Sequence, residues 1–293
     1  MILLITTQVV DPQDPILGFF CRWIEEFAKH CEGIEVICLR EGAHSLPVNV
    51  RVHALGSGNK LMRAWRLLRL SQKLHYEAVL VHMNPEYLVA AGWLWRLKGK
   101  RSALWYTHKS VDLKLRLAAF FADVILTASK ESFRLPSRKL RVMGHGIDTD
   151  FFSPNDGIPR GSNLLSVGRL MPSKRHDLAI RAAAQAGVAL HIAGSGPEQA
   201  RLEALADELG VKVTFLGGIN QAQLKDEYRR AAKLIHASET GSLDKVVLEA
   251  LACGLSVATS DPALKPLESA DPSYVRQNHS LATLIPKILG NLS

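Results

Sequence analysis

Short runs of apolar, often β-branched residues alternate along the chain with stretches whose apolar positions recur every three or four residues. "ILLIT", "IEVICL", "AVLVH", "SALWYT" and "DVILTAS" predict strands, and between them the periodicity predicts helices near Leu17–His30, Lys60–His75 and Glu86–Leu97. "GHGIDTDFFSPNDGIPRG", rich in turn formers, interrupts the pattern, which then restarts. The second series runs "NLLSVG", a helix at Lys174–Ala186, "ALHIAG", a helix at Glu198–Leu209, "VKVTFLG", a helix at Gln221–Ala232, "LIHAS", a helix from about Leu243 to Gly254, and "LSVATS". Strands alternating with helices of this length predict parallel sheets with crossover connections. The expected fold class is α/β, with two Rossmann-like doubly wound domains over residues 1–153 and 154–293, hinged near 150–160. Ligands in such sheets sit beyond the carboxyl ends of the strands, so two facing domains predict a cleft.

Composition narrows this reading. At 293 residues with 47% hydrophobic and 6% aromatic content, the chain is long enough for two cores. "MILLITTQ" has no basic leader and reads as a first buried strand. No apolar run approaches the roughly 20 residues that span a bilayer. Cys21, Cys31, Cys38 and Cys253 show neither metal-ligand spacing nor a paired framework, which predicts free thiols and a cytoplasmic location. Charge is uneven: residues 1–150 hold 21 Lys and Arg against 14 Asp and Glu, whereas the remainder hold 15 against 14. Gly42 to Tyr76 contains no acid but carries Arg51, Lys60, Arg63, Arg66, Arg69 and Lys73, and Tyr87 to Val111 repeats the pattern. Such a field attracts anionic surfaces or polymers. No recognised nucleic-acid-binding motif accompanies it, so nucleic acid is not an expected partner.

Candidate chemistry gathers in the second half. In "SVGRLMPSKRHDLAIRA", Arg169 and Lys174 lie close to a strand's carboxyl end, where two cations suit a diphosphate. "AGSGPE" is a Gly-rich turn opening a helix. In "SETGSLDKVVLEALACG", Thr240-Gly241-Ser242 stands at a helix entrance. It reads either as an ordinary N-cap or as a backbone cradle for an anion, since helix N-termini present unpaired N–H groups and positive potential. Lys245 opposes the macrodipole there, and reads either as a plain surface lysine or as a hint of an anionic ligand.

Together "VGRLMPSKRHDLAIRA", "HIAGSGPE", "VTFLGGI" and "VVLEALACGLSVATSD" resemble, in order and spacing, the donor-binding domain of the family 4 glycosyltransferases, retaining enzymes of the GT-B fold. "WYTHKS" and "VMGHGIDTDFF" are consistent with the same family in the first half. The resemblance implies transfer of a sugar from a nucleoside diphosphate sugar to an acceptor, with retention, without a metal and without a cofactor. It implies that Arg169 and Lys174 hold the donor diphosphate, that Glu249 binds the ribose hydroxyls, and that Gly217 and Ile219 border the base. His108 contacts the donor sugar in that scheme, and Gly18, Leu243, Asp244 and Lys245 complete the donor site. The family pattern departs in one place: eight residues before Glu249, where a second Glu is expected, stands Gly241, with Glu239 nearby. Either Glu239 substitutes, or Asp244 and Lys245 do. "SLATLIPKILGNLS" resembles the helix that precedes a final segment crossing back to the first domain, which is expected to be missing here.

The alternative function is a non-catalytic sugar-nucleotide-binding subunit of a glycosyltransferase complex. A helical wheel of Lys60–His75 places Leu61, Ala64, Trp65 and Leu68 toward the core and Lys60, Arg63, Arg66, Arg69 and Lys73 on the opposite face among Leu67, Leu70 and Leu74. That face suits either an ordinary crossover helix or an anionic membrane surface, with "AAGWLWRLKGKR" (Trp93, Trp95) extending it. On the second reading the acceptor is lipid-linked or a polysaccharide precursor and the protein peripheral on the inner face of the membrane.

Overall fold

The structure is a computed structural model that describes residues 1–238 and 243–293. The chain forms two compact units, Met1–Gly146 together with Leu281–Ser293 (unit 1) and Ile147–Ser280 (unit 2). Unit 1 contains strands β1 (Ile2–Val10), β2 (Gly33–Glu41), β3 (Val50–Ala54), β4 (Ala78–His82), β5 (Arg101–Trp105), β6 (Val124–Thr127) and β7 (Leu140–Val142). Its helices are α1 (Phe19–His30), α2 (Lys60–Lys73), α3 (Pro85–Leu97), α4 (Leu113–Phe121) and, from the far end of the chain, α10 (Leu281–Gly290). The sheet order is β3-β2-β1-β4-β5-β6-β7 with every neighbour parallel.

Unit 2 repeats the scheme with β8 (Leu164–Val167), α5 (His176–Ala186), β9 (Leu190–Ala193), α6 (Gln199–Glu208), β10 (Val213–Gly217), α7 (Gln221–Arg230), β11 (Lys233–His236), α8 (Lys245–Ala252), β12 (Val257–Thr259) and α9 (Pro272–His279). Its five parallel strands run β10-β9-β8-β11-β12. The order reverses between β1 and β4 in one sheet and between β8 and β11 in the other. Crossover connections leave opposite faces of the sheet at such a point and open a crevice at the carboxyl edge.

Both faces of each sheet are covered, which is why the strands read as continuous apolar runs. Along β1 the side chains alternate: Leu3 and Ile5 join Phe20, Ile24 and Phe27 of α1, while Leu4 joins Leu67, Leu88, Ala91 and Trp95 under α2 and α3. In unit 2 the turns after β8 and β9 interlock through backbone. Gly168 N–H donates to the Ala193 carbonyl (2.9 Å) and Leu170 N–H to the Ser195 carbonyl (3.0 Å). A Cβ on Gly194 would overlap the Gly168 carbonyl, and one on Gly196 the Leu170 carbonyl, so "AGSGPE" is glycine-rich because two turns of backbone touch there.

Three expectations are corrected. The last thirteen residues pack with unit 1 and not with the second domain. Leu281, Leu284, Ile285 and Ile288 of α10 share a core with Phe20, Trp23, Ile24 and Phe27, and Trp23 Nε1–H reaches the Gly146 carbonyl (3.2 Å). The chain therefore passes between units at 146/147 and again at 280/281, where the Ile147 N–H donates to the His279 carbonyl (2.7 Å). Secondly, the wheel drawn for α2 is turned the wrong way. Leu67 and Ser71 are buried, whereas Leu61 (82% exposed) and Trp65 (57%) face outward. Arg66 bends back to the Leu55 and Ser57 carbonyls, and Trp95 is buried, so neither belongs to an exposed patch. Thirdly, the helix expected at Lys174–Ala186 is broken at Arg175, which takes a left-handed conformation (φ 49°) between a short 3₁₀ turn (Pro172–Lys174) and α5. Strands β3 and β7 and helices α4 and α9 were not anticipated from the pattern.

All five tryptophans lie in unit 1, so their fluorescence reports its unfolding alone. Ile285→Ala, which empties a fully buried site, is expected to lower that fluorescence-monitored stability by about 2–5 kcal/mol; an unshifted transition would mean that α10 does not belong to this core. Gly194→Ala is expected to destabilise unit 2 by about 3 kcal/mol or more, because Gly194 combines φ 146° with the carbonyl overlap. Calorimetry that resolves two transitions checks this, and a change within about 0.5 kcal/mol, the size of an ordinary surface substitution, would rule out the interlock.

Candidate functional site

The reversal between β8 and β11 collects most of the predicted residues of unit 2. Beyond β8, the interlocked turn holds Arg169 and the 3₁₀ turn holds Lys174. Arg175 in the left-handed region then allows α5 to start in a new direction, and α5 buries His176 at its first position. His176 bonds Ser166 Oγ through Nδ1 (2.8 Å) and the Arg169 carbonyl through Nε2 (3.3 Å), tying the strand, the turn and the helix together. Burial pushes its pKa below the ordinary histidine value despite those bonds, so it works as neutral scaffold.

The centre of the site is a three-residue cluster. Lys174 Nζ donates to Asp244 Oδ2 at 2.7 Å, and His236 Nε2 lies 3.2 Å from the same oxygen. His236, the last residue of β11, is anchored at Nδ1 by Thr259 Oγ1 (3.2 Å) at the end of β12. With the proton on Nε2, His236 donates to the carboxylate and accepts from the threonine hydroxyl. Burial alone would raise the Asp244 carboxyl, but the hydrogen bond to His236 and the Lys174 charge outweigh it and hold the group well below the usual carboxylate range. Asp244 is therefore ionised, and its other oxygen caps α8 by accepting the Val246 N–H (3.3 Å). Lys174 keeps further ammonium protons for a ligand.

A second pair lies one turn along α8. Lys245 Nζ is 3.5 Å from Glu249 Oε1, and the Tyr228 hydroxyl donates to Glu249 Oε2 (3.2 Å). Glu249 is only 2% exposed. Burial raises its pKa more than Lys245 and Tyr228 lower it, and Tyr228, wholly buried beside that carboxyl, is pushed well up as well. Lys245 at a helix start thus has an internal partner, which removes the reason to read an external anion from its position. The cluster in sum leaves one positive charge unmatched: Lys174 faces Asp244 and Lys245 faces Glu249, while the exposed Arg169 forms no ion pair among the described residues.

The remaining expected residues fall as follows. Gly217 ends β10 with φ 67°, which favours glycine, and the Gly194 N–H donates to its carbonyl (2.8 Å). Ile219 and Leu243 are half-buried against the core under α8. Glu239, Thr240, Gly241 and Ser242 lie outside the described residues. The helix expected from Leu243 starts at Lys245, with Asp244 as its N-cap in place of Thr240 or Ser242. His108 and Gly18 belong to unit 1. His108 is exposed and accepts the Ser110 N–H at Nδ1 (3.1 Å), which puts the proton of the neutral ring on Nε2. Gly18 precedes α1 and lacks room for a side chain, because a Cβ would meet the Pro12 carbonyl at 2.7 Å. His236, Thr259, His176 and Tyr228 were not singled out from the sequence. For His236 the signal was its place at the end of "LIH" beside the reversal. All four cysteines are buried and free, and among the described residues no helix is long and apolar enough to cross a membrane.

Residues 149–274 match the family model described as "Glycosyl transferases group 1". The D-inositol 3-phosphate glycosyltransferase of Mycolicibacterium smegmatis is 36% identical over 150 residues, covering 45% of this chain and 35% of the relative. The matched stretch thus spans about a third of the length of such curated relatives. Over nearly the whole chain the backbone is similar to Anabaena HepE in complex with UDP (TM-score 0.74, 16% identity, 99% of each chain covered). It is also similar to sucrose-phosphate synthase from Thermosynechococcus elongatus (TM-score 0.68, 18% identity, 99% of this chain and 90% of the other). The chain therefore has the two parallel-sheet units of the GT-B fold, and the stretch that carries Arg169, Lys174, His236, Asp244 and Glu249 is similar in sequence to the glycosyl transferases group 1.

Proposed function

We propose that the protein is a glycosyltransferase that moves a sugar from a nucleoside diphosphate sugar to an acceptor, with retention and without a metal or cofactor. The observation that carries the reading is the cationic cluster at the β8–β11 reversal, inside the stretch similar to the group 1 enzymes. In this reading the donor diphosphate lies against Lys174 and Arg169. Negative charge grows on the leaving diphosphate as the glycosidic bond breaks. A lysine fixed by an ionised Asp244, itself fixed by His236 and Thr259, meets that charge with little reorganisation. Glu249 serves the ribose and Gly217 and Ile219 the base. His108 Nε2–H is a donor for the transferred sugar. Arg169→Ala and Lys174→Ala are each expected to lower transfer at least ~10-fold, because one charge-assisted contact to a developing anion is worth roughly 1.5–3 kcal/mol. A radiolabelled donor panel measures this, and folded variants at wild-type rates would remove the assignment. Donor binding without transfer or hydrolysis would favour the non-catalytic subunit instead.

We further propose that unit 1 docks on an anionic membrane surface, as a peripheral protein taking a lipid-linked acceptor on its cytoplasmic face. The specific observation is the outer surface of α2, α3 and α4, where α3 packs against both neighbours. Leu61, Trp65, Trp93, Leu97, Leu117 and Phe120 are exposed there, with Arg69 over the Trp65 ring (5.4 Å) and Arg96 over the Phe120 ring (5.6 Å). Exposed apolar residues among Lys60, Arg69, Lys73 and Arg96 combine apolar insertion with attraction to headgroups, about 1 kcal/mol per basic residue near the surface. Sedimentation with phosphatidylglycerol vesicles should exceed that with phosphatidylcholine and fall when Trp65, Arg69 and Lys73 all become Ser. Equal sedimentation on both lipids would end the membrane reading.

A further inference from the structure

Unit 1 has its own reversal, between β1 and β4, and a cavity of about 300 Å³ opens at that edge between α2 and α3. Its polar lining is Gln8 from β1, Asn84 after β4, Lys60 and Arg63 from α2, and Glu86 and Tyr87 from α3. Arg63 is unusual. Its Nε is buried without a hydrogen-bond partner, and the guanidinium forms no ion pair among the described residues. The side chain as a whole is half-buried and lines the cavity, so its donors are available to a ligand there. The carboxylate bordering the same cavity, Glu86, is occupied by Lys114 (2.7 Å), so Lys60 and Arg63 leave the space positive.

The other polar groups suit hydroxyls. Gln8 Nε2–H donates to Asn84 Oδ1 (3.3 Å), which leaves the Gln8 carbonyl oxygen and the Asn84 amide protons for a ligand, and Asn84 does not use its side chain to cap α3. Met83, immediately before it, holds a left-handed backbone (φ 62°), the kind of local strain that functional edges retain. Tyr87 is a wall and not a base: its hydroxyl is committed to the Thr7 carbonyl (2.6 Å), and burial pushes its pKa well up. Leu39, Leu55 and Leu67 supply an apolar face.

We propose that this cavity binds a single hydroxylated ring bearing one anionic group, phosphate or carboxylate, with the anion on Arg63 and Lys60 and the hydroxyls on Gln8 and Asn84. The volume, at the lower end of ligand pockets, limits the occupant to about one ring. The assignment of this ligand as the acceptor's terminal unit rests on the transferase reading above; the binding site itself does not.

The test titrates glucose, glucose 6-phosphate and glucuronate into the full chain and follows the Arg63 Nε–H resonance, assigned by its loss in Arg63→Lys. A saturable shift is expected with glucose 6-phosphate or glucuronate and none with glucose, and the stronger of the two names the anion. Arg63→Gln should weaken that binding at least 10-fold and Arg63→Lys less, while Lys174→Ala, in the other unit, should leave it unchanged. Equal response to glucose, a silent Arg63 resonance, unchanged affinity in Arg63→Gln, or loss of binding in Lys174→Ala would each overturn the proposal. Should the variants fail to fold, calorimetric titration of the wild-type protein with the same three sugars still decides, since affinity for glucose equal to that for both anionic sugars overturns the proposal. Donor consumption is measured in parallel: a shifted Arg63 resonance in a protein that never binds a nucleotide sugar leaves the cavity standing and removes the transferase reading, and the converse result does the reverse.

Discussion

The constraint on which the rest depends is that every strand in both sheets runs parallel to its neighbours. Parallel pairing obliges each strand to be followed by a crossover, and a crossover has to cover a face of the sheet. All carboxyl ends then lie along one edge. Where the chain changes direction across the sheet, at β1–β4 and β8–β11, successive crossovers diverge and leave a crevice that no helix fills. Positive groups lie at both crevices, Arg169 beside the Asp244-paired Lys174 in unit 2 and Arg63 with Lys60 in unit 1. The topology creates the space, and short polar turns furnish it.

Charge placement in unit 2 follows a rule of compensation. A lysine or carboxylate taken out of water is tolerated only with a partner, and breaking a buried pair costs about 3–5 kcal/mol. Lys174 and Asp244 are 21% and 16% exposed, so they are matched with each other, and His236 absorbs the remaining demand of the carboxylate. The same logic explains Lys245, whose unfavourable place at a helix start is offset by Glu249 one turn on. Arg169 at the surface needs no such compensation. It is the charge most available to a ligand, and the interlocked glycine turns hold its backbone still.

Much of the fold was legible because buried parallel strands are apolar on both faces: "AVLVH" maps residue for residue onto β4. β3 and β7 escaped because they are short edge strands with half-buried or exposed side chains, so their pattern carries little apolar signal. The place of α10 was not legible for a different reason. Its apolar spacing shows that it has a face to bury, but not which of two cores receives it; that is settled by Trp23, Phe20 and Gly146, more than a hundred residues away. In the site, Arg169 and Lys174 were visible as cations near a strand end. Asp244 as cap and anchor was not, because its anchoring depends on His236 at the end of β11 and Lys174 in the 3₁₀ turn after β8, both remote from it in the pattern.

α2 shows why a helical wheel fails on such sequences. Hydrophobicity assigns Leu61 and Trp65 to the interior and the arginines to solvent, yet the helix is rotated the other way. Arginine can be turned inward when its fork finds acceptors, and Arg66 finds the Leu55 and Ser57 carbonyls in the loop before the helix. Arg63, one turn earlier, borders the cavity. Turning these two inward brings Leu67 under the sheet-facing side and necessarily sends Leu61 and Trp65 out, since residues two or six positions apart on a helix cannot share the face of Arg63 and Leu67. The exposed apolar surface of unit 1 and the cationic lining of its cavity are therefore two consequences of one rotation.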